Sequence, residues 1–201
     1  MNPANANRQP FAKPRGWHSR GYVPHLDHPG LIQGITFRLA DSLPAHALIS
    51  LAQDSKSVNN PAKRARIEAY LNAGYGACHL RDPRIARLVE DALLYFDGEH
   101  YQMIAWVIMP NHVHVLIETV EGHQLSSIVH SWKSYTAKKA NRILERTGTF
   151  WFREYFDRYI RDERHFANAV QYIRDNPVKA GLVELPEDWP FSSAGYPRVS
   201  E

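Results

Sequence analysis

The spacing of apolar and polar positions predicts a chain that mixes short strands with amphipathic helices. Residues 34–40 (GITFRLA) read as a strand, and residues 59–73 as a helix opened by Asn59-Asn60-Pro61 and closed near Gly74. A second helix is marked by Asp82 as N-cap and Pro83 at its first position. Behind them Ile85, Leu88, Val89, Ala92, Leu93 and Phe96 recur at i, i+3, i+4 and i+7 spacing, which gives one apolar face. Residues 101–109 (YQMIAWVIM) are almost continuously apolar, as a buried strand is. The Pro110-Asn111 turn leads into a returning strand from His112 to Glu118. Residues 124–146 repeat as a helix, 149–159 contain an aromatic strand, and a last helix starts at Asp162 and stops before Pro177. This order predicts an α+β fold with a ferredoxin-like antiparallel sheet, helices packed on one face and the last helix at the other.

The returning strand carries the chemistry. Successive strand residues face opposite ways, so Val113, Val115 and Ile117 point to a core while His112 and His114 share the other face. The two imidazoles sit about 7 Å apart along the strand, close enough to chelate one ion. Ligand chemistry alone favours zinc or nickel for such a pair. In the last helix, Tyr172 and Asn176 are an i, i+4 pair flanking the core stripe of Phe166, Ala169, Val170 and Ile173. Tyr172 offers a phenolic nucleophile and Asn176 a neutral carbonyl oxygen. His165 lies on a similar flank.

Composition narrows the classes. Cys78 is the sole cysteine among 201 residues, which leaves no disulfide and no cysteine-based zinc site, and fits a cytoplasmic protein. No apolar run approaches the roughly 20 residues of a membrane-spanning helix, and the N-terminus lacks a signal-peptide core, so no membrane partner is expected. The net charge is only +3, but it is unevenly placed. Residues 131–158 hold seven Lys/Arg (Lys133, Lys138, Lys139, Arg142, Arg146, Arg153 and Arg158) against three acids. The first 26 residues add Arg8, Lys13, Arg15 and Arg20 with no acid. Such asymmetry suits a polyphosphate partner.

Taken together, MPNHVHVLIE, GTFWFREYFDRYIRDE and YIRDNPVKAGL resemble the REP-associated tyrosine transposases, a branch of the single-strand HUH transposases. HUH denotes His, a hydrophobic residue and His, here His112-Val113-His114. The resemblance runs from about residue 21 to 193. It implies a metal-dependent single-stranded DNA endonuclease and strand-transferase, acting on hairpin or repetitive palindromic DNA with Mg2+ or Mn2+. His112 and His114 would be metal ligands, with Asn176 the third where insertion-sequence relatives often have Gln. Tyr172 would attack a phosphodiester to give a 5′-phosphotyrosine and a free 3′-hydroxyl. Lys133, Lys138, Lys139, Arg142, Arg153 and Arg158 would hold DNA, and the aromatics Trp132, Tyr135, Trp151, Phe152 and Tyr155 supply rings for stacking, several of them core instead. Arg15 and Arg20 would extend the contact from a basic arm.

The expected division is a flexible arm over residues 1–30, a catalytic domain over 31–185 and a tail over 186–201. Monomer and homodimer both stay open. The rival reading is a nucleic-acid-binding module without activity, built on a ferredoxin-like sheet. Against it, the central strands lack the aromatic pattern of such modules. A second rival is a hydrolase that acts through water, with Tyr172 structural.

Overall fold

The computed structural model describes residues 16–19, 24–28, 30–47, 49 and 61–196. Strands β1 (Gly16–Ser19) and β2 (Pro24–Asp27) pair antiparallel as a separate ribbon. The ribbon lies within the arm expected over residues 1–30. Neither strand shows apolar alternation, so periodicity gave no sign of it. The segment after it is tied to the main sheet: Thr119 Oγ1 donates to the His28 carbonyl (3.1 Å) and Gly30 N to the Thr119 carbonyl (2.9 Å). Arg15 and Arg20 lie outside the described residues.

The main sheet is antiparallel with order β4-β5-β3-β6, from β3 (Ile32–Arg38), β4 (Tyr101–Ile108), β5 (His112–Thr119) and β6 (Phe156–Tyr159). Four principal helices accompany it: α1 (Pro61–Asn72), α2 (Pro83–Leu94), α3 (Leu125–Ile143) and α4 (Glu163–Lys179). The Asp82 carboxylate caps α2 by accepting from Arg84 N at 2.9 Å, with Pro83 first in the helix as expected.

Alternation sorts the sheet into two faces. Ile35, Phe37, Trp106, Ile108, Val113, Val115 and Ile117 pack against Ile85, Val89 and Leu93 of α2 and Leu125, Val129 and Trp132 of α3. Trp132, Trp151 and Tyr155 belong to this core, so among the aromatics considered for stacking only Tyr135 is exposed, with Phe152 half-buried. The polar tips of the buried rings are satisfied: Tyr101 Oη donates to the Leu93 carbonyl (2.7 Å), Trp132 Nε1 to Tyr101 Oη (3.0 Å) and Trp151 Nε1 to Thr136 Oγ1 (2.9 Å). Phe37 lies between Trp132 and Trp151, its ring centroid 6.3 and 4.9 Å from theirs. Phe37→Ala should destabilise the fold by about 3–5 kcal/mol, read from chemical denaturation.

The other face carries Ala105, Val107, Met109 and Leu116, and α4 covers it through Ile173. Helix α4 runs through Pro177 to Lys179, which corrects the expected stop before the proline. Asn176 and Pro177 are buried there, and that packing outweighs the backbone bond a proline forfeits. Within the tail expected over residues 186–201, the segment up to Ser193 packs on the sheet. It lies along the outer edge of β4, with Ile108 N donating to the Phe191 carbonyl and Ser193 N to the Trp106 carbonyl, each at 2.9 Å. A covered edge removes a template for unwanted strand pairing.

Candidate active site

Register places the histidines. Cross-strand pairing sets Thr36 opposite His114 and Arg38 opposite His112, on the face that α4 covers. His112 is fully buried and His114 nearly so. Their rings meet edge to face, with centroids 4.7 Å apart.

Each imidazole is oriented through its Nδ1. Asn111 Nδ2 donates to the Tyr75 carbonyl at 2.9 Å, which fixes the amide so that its Oδ1 faces His112 Nδ1 at 2.8 Å. A carbonyl oxygen only accepts, so His112 carries its proton on Nδ1 and keeps the Nε2 lone pair free. His114 Nδ1 lies 2.7 Å from Thr36 Oγ1. Both Nε2 atoms are buried without a hydrogen-bond partner in the protein. Burial, followed by the neighbouring His114, holds the His112 pKa well below its usual value, so the ring stays neutral as a ligand must. In the sequence Asn111 is half of a turn dipeptide, and its orienting role needs the folded strand. Asn111→Ala should weaken divalent-metal affinity by roughly 10- to 100-fold, measured by calorimetry.

Helix α1 supplies a group the sequence did not reveal. Ile67 and Leu71 bury themselves with Leu43 in a small cluster that pins the helix. Its neighbour Glu68 reaches the histidines, with Oε1 3.3 Å from His114 Nε2. Ligand atoms of Glu68, His112 and His114 all lie within 4.8 Å of one another, a set that could hold a metal ion. Burial alone would raise the Glu68 pKa, but His114, the Tyr172 hydroxyl and His112 together bring it down to about 2. The carboxylate is therefore ionised at neutral pH. No pattern pointed to it, because α1 is polar and lacks a distinct apolar stripe.

Tyr172 completes the group from α4. Its Oη donates to Glu68 Oε1, and its ring stands edge to face with His114, centroids 5.3 Å apart. Burial first, then the Glu68 charge and hydrogen bond, raise the phenol pKa, so the hydroxyl is held protonated. Asn176 lies one turn on, near enough to lower that pKa in part, and its buried Oδ1 has no partner. Tyr172 thus meets His114, with Glu68 added and Asn176 beside the phenol. His165 lines the same cleft as Tyr172, and its Nδ1 accepts from Arg161 N at 3.3 Å rather than from the phenol.

The basic residues are spread more widely. Lys138, Lys139 and Arg142 are exposed on α3, which packs on the opposite face of the sheet from the histidines. Lys133 is half-buried, and its Nζ donates to the carbonyls of Phe152 (2.8 Å) and Arg153 (2.7 Å), clamping that loop. Arg153 is exposed, with Nε 3.8 Å from Glu154. Arg158 is exposed on β6, opposite Gly34.

Comparison with known proteins places the chain among transposase-like sequences. Residues 84–176 match the family model described as transposase IS200-like. An Escherichia coli REP-associated tyrosine transposase is 31% identical over 93 residues, covering 46% of this chain and 54% of that protein. A Haemophilus influenzae protein given the same designation provisionally is 34% identical over 107 residues, covering 47% of this chain and 61% of that protein. The match therefore spans less than two thirds of either relative. In fold, a REP-associated tyrosine transposase solved bound to a REP hairpin superposes with TM-score 0.52 at 19% identity, covering 84% of this chain and 79% of the other. No described helix is long and apolar enough to cross a membrane. The chain is thus similar in sequence, over residues 84–176, to the IS200-like transposases, and similar in fold, over most of its length, to a REP-associated tyrosine transposase, the branch its motifs resemble.

Proposed function

We propose that this protein cleaves and rejoins single-stranded or hairpin DNA by metal-assisted transesterification at Tyr172. The observation that carries the reading is the meeting of a phenol and a carboxylate with two buried imidazole nitrogens, His112 Nε2 without a hydrogen-bond partner and His114 Nε2 3.3 Å from Glu68 Oε1. Buried polar atoms are normally hydrogen-bonded, so the orphaned lone pair of His112 Nε2 beside His114 Nε2 and the Glu68 carboxylate favours a cation among them. The unpartnered Asn176 Oδ1 suits the same role. A divalent cation held by His112, His114 and Glu68, with Asn176 beside them, would act as a Lewis acid toward a non-bridging phosphate oxygen. Mg2+ and Mn2+ are the ions the family resemblance favours.

The chain's own residues do the rest. Tyr172 Oη attacks phosphorus in line, a P–O bond forms to the phenol, and the bond to the 3′ oxygen breaks. The departing oxygen takes up a proton and becomes a 3′-hydroxyl. The phenolic proton starts on a hydrogen bond to Glu68, the nearest acceptor. That bond also fixes the direction of Oη, and mounting on α4 limits its motion. The phosphotyrosine retains the ester bond, so the reverse attack by a 3′-hydroxyl rejoins strands without a nucleotide triphosphate.

The reading as a binding module without activity is disfavoured by the sheet. A platform for bases needs an open face, and here α2 and α3 cover one side and α4 the other. DNA contact is assigned instead to the exposed cations Lys138, Lys139, Arg142, Arg153 and Arg158, with Arg15 and Arg20 extending it. Lys133 would act through the loop it clamps. Binding of hairpin DNA should weaken steeply as salt rises, and Lys138→Ala or Arg142→Ala should each reduce the slope by about one. A titration of affinity against salt reads this directly, and an affinity independent of salt would remove the patch from the account.

A further inference from the structure

Tyr172, Glu68 and His114 open onto a cleft of about 520 Å3 between the sheet, α1 and α4, a size typical of small-molecule sites. Its floor is Gly34, its sheet-side wall Phe156 and Arg158, and its roof Asn168, Ala169 and Tyr172. The glycine is the informative residue. It lies inside β3, where glycine weakens a strand and often marks close approach by a ligand. Its backbone does not demand glycine: φ is not positive, and an added Cβ would meet only the Arg158 carbonyl oxygen at 3.9 Å and Leu116 Cδ1 at 4.0 Å. The fold would accept a side chain there, and its absence keeps the cleft open.

The lining has the division of a nucleotide. Most of the wall is apolar, with the half-buried Phe156 ring on the sheet side. At the rim stands the exposed amide of Asn168, one helical turn before Tyr172. The exposed Arg158 lies at the mouth, and its charge and that of Arg161 reach His165 on the same rim.

We propose that this cleft receives one unpaired nucleobase adjoining the phosphate that Tyr172 attacks, with Asn168 hydrogen-bonding its edge and Arg158 holding a neighbouring phosphate. The inference rests on the transesterification reading above and deepens it, because it adds protein-borne recognition of a base at the cleavage point. A stacked and paired base cannot enter a slot between a helix and a sheet, so the strand must be single there.

The test uses the four deoxynucleoside 3′,5′-bisphosphates and the base-free deoxyribose bisphosphate, titrated against the full chain by NMR. At least one nucleotide should bind about tenfold more tightly than the base-free sugar, the scale of a base packed on an aromatic wall. Gly34→Val should remove that difference without lowering Tm, since valine suits a strand. Asn168→Ala, an exposed change that cannot unfold the chain, should narrow the spread among the four bases. Equal binding of all five probes, or an undiminished difference in Gly34→Val, would overturn the pocket. The covalent DNA adduct is scored separately. A base preference without an adduct would leave the pocket standing and refute the transesterification, and an adduct without a base preference would do the reverse.

Discussion

Replacing Tyr172 by phenylalanine should abolish the covalent protein–DNA adduct while leaving the fold and DNA binding in place. The change deletes one oxygen and keeps the ring that stands against His114. Loss of a nucleophile from a working site typically costs on the order of 10^4 to 10^6 in rate, so no adduct should be visible on a denaturing gel. Tyr135→Phe is the matched control, because Tyr135 is exposed in a basic helix that packs on the far side of the sheet from the histidines. Its loss should at most weaken DNA binding. An adduct that survives in Tyr172→Phe and vanishes in Tyr135→Phe would reverse the assignment.

The second large effect concerns the metal. His112→Ala and His114→Ala should each eliminate Mn2+ binding by calorimetry and, with it, DNA cleavage. Both rings point away from Val113 and Val115, so the main core is untouched and hairpin binding should persist. Glu68→Gln separates the carboxylate's two contacts. The amide still accepts a hydrogen bond from Tyr172 but contributes no charge, so metal affinity should fall by at least about tenfold while Tm holds. Wild-type metal affinity in Glu68→Gln would mean that Asn176, rather than Glu68, completes the ligand set.

Much of this was legible in the sequence, for local reasons. Alternation in HVHVLIE separates the histidine face from the core face, and the i, i+4 spacing of Tyr172 and Asn176 places them together on α4. The Asp82-Pro83 signal located α2 to the residue because capping is a short-range interaction. Glu68 was not legible, since it joins His114 only through tertiary packing of a polar helix against the sheet edge. Asn111 looked like half of a turn dipeptide, and its amide finds His112 only after Tyr75 fixes it. Pro177 misled by propensity: its burial with Asn176 carries α4 onward where local preference would end it. Lys133 looks like one more DNA-facing cation in the sequence, yet it reaches two carbonyls 19 and 20 residues away in the loop before β6.

Tyr172 should become covalently joined to DNA in a metal-dependent step. The most direct measurement is to incubate the full chain with 5′-labelled and 3′-labelled hairpin DNA in Mn2+, digest the product with protease, and identify the DNA-linked peptide by mass spectrometry. The account predicts a 5′-phosphotyrosine on the peptide containing Tyr172, absent when a chelator is present. DNA cleaved with no linked peptide, or a linkage on any other residue, would contradict it.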